Sequence, residues 1–192
     1  MREVTLQELK QLARESYHDL WSGAKSMGRD VKLYLHWTAG SYDQLFDEYH
    51  VSITGDGRVW VSTDNLAEVK AATYRRNTGS VAIALCCALD AVGENDLGPC
   101  PPTEAQINAM AQVVCVLADA LDLTIDLQRV MTHAEAADNK DGEWCHEPYG
   151  PDSTVERWDL LVVHEGDKRW SGGDVMRGNA NWYRGQGLMR EI

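Results

Sequence analysis

The chain has 192 residues, 44% hydrophobic and 25% charged, which suits one soluble globular domain that buries its own core. Its formal net charge of -12 argues against a nucleic-acid binder, which needs a basic face, and against docking on anionic lipid through a polybasic patch. No apolar run approaches the ~20 residues of a membrane span, and Met1 to Arg14 is polar and amphipathic, unlike the basic-then-apolar pattern of a secretory signal. The expectation is synthesis in the cytoplasm without a signal peptide and without membrane insertion. Five cysteines form no even framework, which fits reduced thiols at synthesis.

Thr5-Leu6-Gln7-Glu8 is a capping-box sequence, a hydroxyl and a carboxylate three residues apart. Leu6, Leu9, Ala13, Tyr17 and Leu20 follow at helical spacing and predict an amphipathic helix over residues 5–21. Residues 31–37 read as a buried strand, with Leu33, Leu35 and Trp37 on one face and Tyr34 and His36 on the other. Small residues, Thr38-Ala39-Gly40, end it and leave His36 at a strand end, where scaffolds commonly present catalytic groups. Residues 41–48 suit a short helix or loop. Tyr49–Thr54 and Arg58–Ser62 flank Gly55-Asp56-Gly57 and predict a hairpin. Ser80–Leu89 is an apolar run without polar alternation, the pattern of a strand buried on both faces. Cys86 and Cys87 lie in it facing opposite ways, as two buried thiols.

Gly98-Pro99-Cys100-Pro101-Pro102 breaks the chain before a second capping box, Thr103-Glu104-Ala105-Gln106. Ile107, Met110, Val114, Leu117 and Leu121 then give a helix whose apolar stripe covers a sheet. Arg129–His133 predicts a short strand, again ending on a histidine, and 134–156 an acidic loop. Arg157-Trp158-Asp159 closes that loop ahead of the apolar Leu160–Val163. The Gly-rich tail, 170–192, carries Trp170, Trp182 and Tyr183 as packing anchors. Strands alternating with helices, plus a hairpin, predict an α/β fold: a single domain over 1–192, core about 30–165, with a central mixed β-sheet flanked by helices.

His36 and His133 end two strands and Asp159 opens a third segment. Two imidazoles and one carboxylate match the catalytic-zinc pattern of three protein ligands and a fourth position for water. Spacing alone does not select these three from six histidines and thirty carboxylates.

His36-Trp37-Thr38-Ala39, Tyr49-His50-Val51 with its Asp56-Gly57 turn, and Asn77 through Ser80-Val81-Ala82-Ile83-Ala84-Leu85 occur in that order. Thr103-Glu104-Ala105-Gln106, Thr132-His133-Ala134-Glu135-Ala136-Ala137 and Arg157-Trp158-Asp159-Leu160 follow. This series resembles the zinc-dependent N-acetylmuramoyl-L-alanine amidase family that includes phage-lysozyme amidases and peptidoglycan-recognition proteins, over roughly residues 30–165. The stretch from Gly172 to Tyr183 resembles the ending of phage and prophage members. The resemblance implies one zinc ion (Zn2+) per chain and a peptidoglycan or muropeptide substrate cut between N-acetylmuramic acid and L-alanine. It implies His36, His133 and Asp159 as metal ligands, the last an aspartate or a cysteine among members. Tyr49 matches a tyrosine that hydrogen-bonds near the metal water in phage-lysozyme members. Arg157 matches a position usually lysine, which stabilises the oxyanion.

One departure stands out: Ala84 occupies the strand position where some members carry a glutamate general base. The chain then uses the tyrosine-type arrangement or draws a carboxylate from the acidic loop, with Glu135 the nearest and a cap or salt bridge its competing role. His146 is the rival third ligand, and His50 reads as core. The competing functions are a non-catalytic peptidoglycan-binding module and a zinc amidase acting on another amide.

Overall fold

The structure, a computed structural model, describes residues 1–143, 145, 150–152 and 157–192. Three residues, β1 (Arg2–Val4), precede the first capping box. The Glu8 N–H donates to the Thr5 hydroxyl at 3.1 Å and the Thr5 N–H to the Glu8 carboxylate at 2.7 Å, which starts α1 (Leu6–Ser26). The helix runs past the predicted residue 21 because Ala24 still packs into the core. β2 (Lys32–Trp37), β3 (Val51–Ile53) and β4 (Val59–Val61) follow, the last two joined by the predicted hairpin. Residues 41–48 form no helix.

β5 (Ser80–Leu85) is buried along its whole length, as its apolar run predicts, but it stops before Cys86 and Cys87, both buried free thiols. The second capping box starts α2 (Glu104–Ala120). Gln106 there also donates its side-chain amide to the carbonyls of Ile53 and Cys86, at 3.0 and 2.9 Å, fixing α2 across the ends of β3 and β5. β6 (Val130–Thr132) runs straight into α3 (His133–Ala137), so His133 opens a helix where the sequence suggested a strand end and a loop. The tail is likewise helical, α4 (Ser171–Gly185) and α5 (Leu188–Glu191). Trp170 and Tyr183 pack against the core as anchors should, whereas Trp182 is 59% exposed on α4 with its ring edge-on to Tyr183.

The strands form one mixed sheet in the order β1-β4-β3-β5-β2-β6. The β3–β5, β5–β2 and β2–β6 pairs are parallel; β1–β4 and β4–β3 are antiparallel. Leu33, Leu35, Val81, Ile83, Val51 and Ile53 join α1 and α2 in the main core. α2 packs against both α1 and α4. Among the described residues no helix is long and apolar enough to cross a membrane.

The opposite face carries Tyr34, His36, Ala82, Ala84 and Ser52, and Thr73 and Arg76 meet it through polar side chains. Arg76 donates to Tyr34 Oη at 3.3 Å and to Asp141 at 2.7 Å, while Lys32 reaches the same carboxylate at 2.8 Å. Burial pushes the Asp141 carboxyl up, but these two cations outweigh it and hold it at about 2.

His50, 1% exposed, is core as the sequence suggests. Its Nδ1 accepts the Ala82 N–H at 2.9 Å and its Nε2 donates to the Glu68 carbonyl at 2.6 Å, an arrangement only the neutral ring can make. Burial lowers its pKa to about 4, against about 6.5 for a free histidine. The unfolded chain therefore binds the extra proton between these values. The stability His50 contributes is complete above about pH 6.5 and is lost as pH falls toward about 4, by up to about 3 kcal/mol. Urea unfolding midpoints should fall from pH 7 to pH 5 while the His50 ring resonances of the folded protein stay at their neutral positions. A ring that titrates near pH 6.5 in the folded state would contradict the assignment.

Candidate metal centre

Three elements deliver three donor atoms to one end of the sheet. β2 carries His36 at its penultimate position, fully buried. The third capping box, Thr132 with Glu135, sets the first turn of α3: the Glu135 N–H donates to Thr132 Oγ1 at 3.2 Å and the Thr132 N–H to Glu135 Oε1 at 2.9 Å. His133 is thereby held as the first residue of a capped helix.

Asp159 reaches the same point on the far side of the loop. Trp158 stacks edge-on against Trp37 with ring centroids 4.7 Å apart, and the Ala134 N–H donates to the Asp159 carbonyl at 3.4 Å. Behind it, a Cβ on Gly172 would sit 1.9 Å from the Leu160 carbonyl oxygen, and one on Gly173 would sit 2.3 Å from Glu135 Oε1. Glycines at these two positions let the first turn of α4 close down on the Leu160 carbonyl and the Glu135 carboxylate.

His36 Nδ1 lies 3.1 Å from His133 Nδ1 and 3.4 Å from Asp159 Oδ2, and His133 Nδ1 lies 3.3 Å from Asp159 Oδ2. A tetrahedral zinc ion with ligands at about 2.0–2.2 Å spaces its donors by roughly 3.3–3.5 Å, so this triangle has the dimensions of one face of a zinc site. Among the described residues it is the one group of three or more such side chains able to hold a metal ion. The protonation states agree with the spacing. Burial lowers the His36 pKa to about 4, so the ring is neutral at pH 7. Burial raises the Asp159 carboxyl, but the two imidazoles beside it win and hold it well below the usual carboxylate range. An ionised carboxylate and a neutral imidazole are the forms a metal requires.

A cleft of about 410 Å³ opens over these donors, its wall including Trp37, Phe46, Glu48, Tyr49, Arg157 and both His133 and Asp159. The Tyr49 ring centroid is 5.2 Å from that of His36, and its hydroxyl donates to the Trp37 carbonyl at 3.5 Å. Burial, with the Asp159 charge adding to it, raises the Tyr49 pKa, so the phenol keeps its proton. Arg157 is exposed on the same wall. Ala84 pairs in register with His36, so a glutamate there would have stood beside the His36 ring.

Glu135 does not join this group. It is 6% exposed, it caps α3, and it forms a two-pronged ion pair with Arg177, each contact 2.8 Å. Its oxygens face α4 and it is not among the residues lining the cleft, an arrangement that suits the cap and salt-bridge role weighed against that of a general base. His146 lies outside the described residues. Sequence reasoning missed Thr73, whose hydroxyl lies 3.2 Å from His36 Nε2. No local pattern marks it. The third capping box was visible in Thr132-His133-Ala134-Glu135 and would have placed His133 on a helix.

A family model for N-acetylmuramoyl-L-alanine amidase matches residues 25–148, a stretch that holds His36 and His133 and ends before Asp159. No curated protein matches the chain. Among solved structures, the Ph2119 endolysin of a Thermus scotoductus bacteriophage is similar at 21% identity, over 55% of this chain and 71% of that one, with a TM-score of 0.39. The endolysin amidase LysCS of Clostridium intestinale is similar at 14% identity, over 56% and 70%, with a TM-score of 0.41. LysC, an N-acetylmuramoyl-L-alanine amidase of the same organism, shares 12% identity over 66% and 78%, also at 0.41.

Proposed function

The chain belongs to the N-acetylmuramoyl-L-alanine amidase family, and we propose that it is a zinc hydrolase cutting the amide between N-acetylmuramic acid and L-alanine of peptidoglycan, in the manner of an endolysin. The observation that carries this reading is the triangle of His36, His133 and Asp159 donors, of zinc-site dimensions, with His133 and Asp159 lining an open cleft. His36, His133 and Asp159 would hold one zinc ion, which would lower the pKa of a water to about 7 and polarise the scissile carbonyl.

The protein's own groups do the rest. The three donors fix the reacting centre against the end of the sheet, and the aromatic wall of Trp37, Phe46 and Tyr49 limits the water around it. Arg157 turns a fixed positive charge toward the cleft, where it stabilises the oxygen that gains charge as the carbonyl becomes tetrahedral. Tyr49, kept protonated, acts as a hydrogen-bond donor through Oη. It does not serve as a base at neutral pH.

Purified sacculi incubated with zinc-loaded protein should release stem peptides with a free L-alanine amino group, identified by mass, and a chelator should stop the release. Fragments cut at another bond would make the chain a zinc amidase of different specificity. Binding of sacculi without release by zinc-loaded protein would make it a peptidoglycan-binding module. The first outcome would place its work at the cell wall, reached by release or export from the cytoplasm.

A further inference from the structure

We propose that Thr73 is a positioning residue for the metal centre: its hydroxyl accepts the Nε2–H of His36 and so commits the Nδ1 lone pair to the ion. The inference rests on the zinc reading above and adds a residue to it. His36 uses its two ring nitrogens for different partners. Nδ1 faces His133 and Asp159, while Nε2 faces Thr73 Oγ1 at 3.2 Å. A neutral imidazole carries one proton, and a metal takes the nitrogen that lacks it. The partner of the second nitrogen therefore decides which tautomer is available to the metal, and metal-bound histidines commonly donate that second N–H to a fixed acceptor.

Thr73 has the burial and the bracing for this task. Thr73 is 3% exposed and His36 is 0% exposed, so bulk water does not compete for Nε2. The turn that carries Thr73 is held from both ends. Asn77 Oδ1 accepts the N–H groups of Thr73 at 2.7 Å and Ala72 at 3.1 Å, and the Thr73 carbonyl accepts the Arg76 N–H at 3.0 Å. Arg76 is itself fixed by Asp141. The acceptor thus stands on a turn braced by Asn77 and, through Arg76, by the segment that follows α3. A hydroxyl also holds the ring without bringing a second carboxylate charge beside the ligands.

Zinc affinity measured by competition with a chromophoric chelator, for wild type, Thr73→Val and Thr73→Ser, tests the proposal. Thr73→Val should weaken zinc binding by about 10–100-fold, the usual effect of losing such a partner, and Thr73→Ser should stay within about threefold of wild type. In zinc-loaded wild type, long-range proton–nitrogen correlation of the His36 ring should find the proton on Nε2, a readout that needs no variant to fold. A valine variant that binds zinc like wild type, equal losses in valine and serine variants, or a proton on Nδ1 would each overturn it. Wild-type protein that binds no zinc would sink the metal reading and this inference with it. Normal zinc binding in wild type with an unaffected valine variant would sink this inference alone.

Discussion

Asp159→Ala protein is expected to lose zinc and peptidoglycan hydrolysis together while remaining folded. Asp159 is the one anionic donor in the triangle, since His36 is neutral at pH 7. Without it two imidazoles remain, short of the three protein ligands a catalytic zinc needs. Loss of an outer-shell partner costs about 10–100-fold in affinity or activity, and loss of a ligand should exceed that. The loop itself is held by other means: Trp158 against Trp37, the Asp159 carbonyl accepting from Ala134, and Gly172 against the Leu160 carbonyl. The carboxylate itself meets the two imidazoles and accepts one long bond, 3.4 Å, from the Trp37 N–H, so its removal spares the scaffold. Metal analysis and sacculus digestion on the same preparation give both readouts, and the Trp37–Trp158 contact offers a near-UV signal for the fold. Asp159→Cys should keep the ion, because a thiolate is a zinc donor at about 2.3 Å. Full zinc occupancy in Asp159→Ala would move the third ligand elsewhere, with His146 next in line.

What the sequence made legible followed from local chemistry. Hydroxyl–carboxylate or hydroxyl–amide pairs at Thr5/Glu8 and Thr103/Gln106 announce α1 and α2 because each satisfies two helix-end donors and is followed by an apolar stripe. The Asp56-Gly57 turn announces the β3–β4 hairpin for a similar reason. The same box at Thr132/Glu135 is easily passed over, since the helix it starts has five residues and no room for a stripe. α4 reads as an irregular tail because Gly172 and Gly173 look like helix breakers and Trp170, at φ 75, supplies no side-chain cap. Its glycines answer to distant partners, the Leu160 carbonyl and the Glu135 carboxylate, which no window of sequence contains. Thr73 is hidden in the same way, 37 residues from His36 in a segment without periodicity. The candidate ligand set lies between these cases. His36 at a strand end is a local inference, but joining it to His133 and Asp159 took the order of motifs along the chain.

Glu135→Gln is expected to lower the unfolding midpoint by on the order of 10 °C while leaving hydrolysis per folded molecule within a few-fold of wild type. Glu135 Oε1 accepts from the Thr132 N–H at 2.9 Å and from Arg177 Nη1 at 2.8 Å, and Oε2 accepts from Arg177 Nη2 at 2.8 Å. Removing one partner of a buried ion pair costs about 3–5 kcal/mol, mostly through the charge left behind. For a chain of this size each kcal/mol moves the midpoint by roughly 2–4 °C. Glutamine keeps a carbonyl oxygen for the capping box, so α3 still starts at His133. Arg177 is left with the Val130 carbonyl at 2.8 Å and the exposed Asp174 at 3.0 Å. Arg177→Met orphans the carboxylate instead and should cost at least as much. The double variant should lose less than the sum of the two, because neither charge is then stranded. A general base would behave oppositely: its loss would cut turnover about 10²–10⁴-fold with little change in stability. That outcome would return the proton to Glu135. The expected one leaves it to groups of the cleft wall, and makes the Glu135–Arg177 pair the bolt that joins α4 to the first turn of α3, where His133 begins.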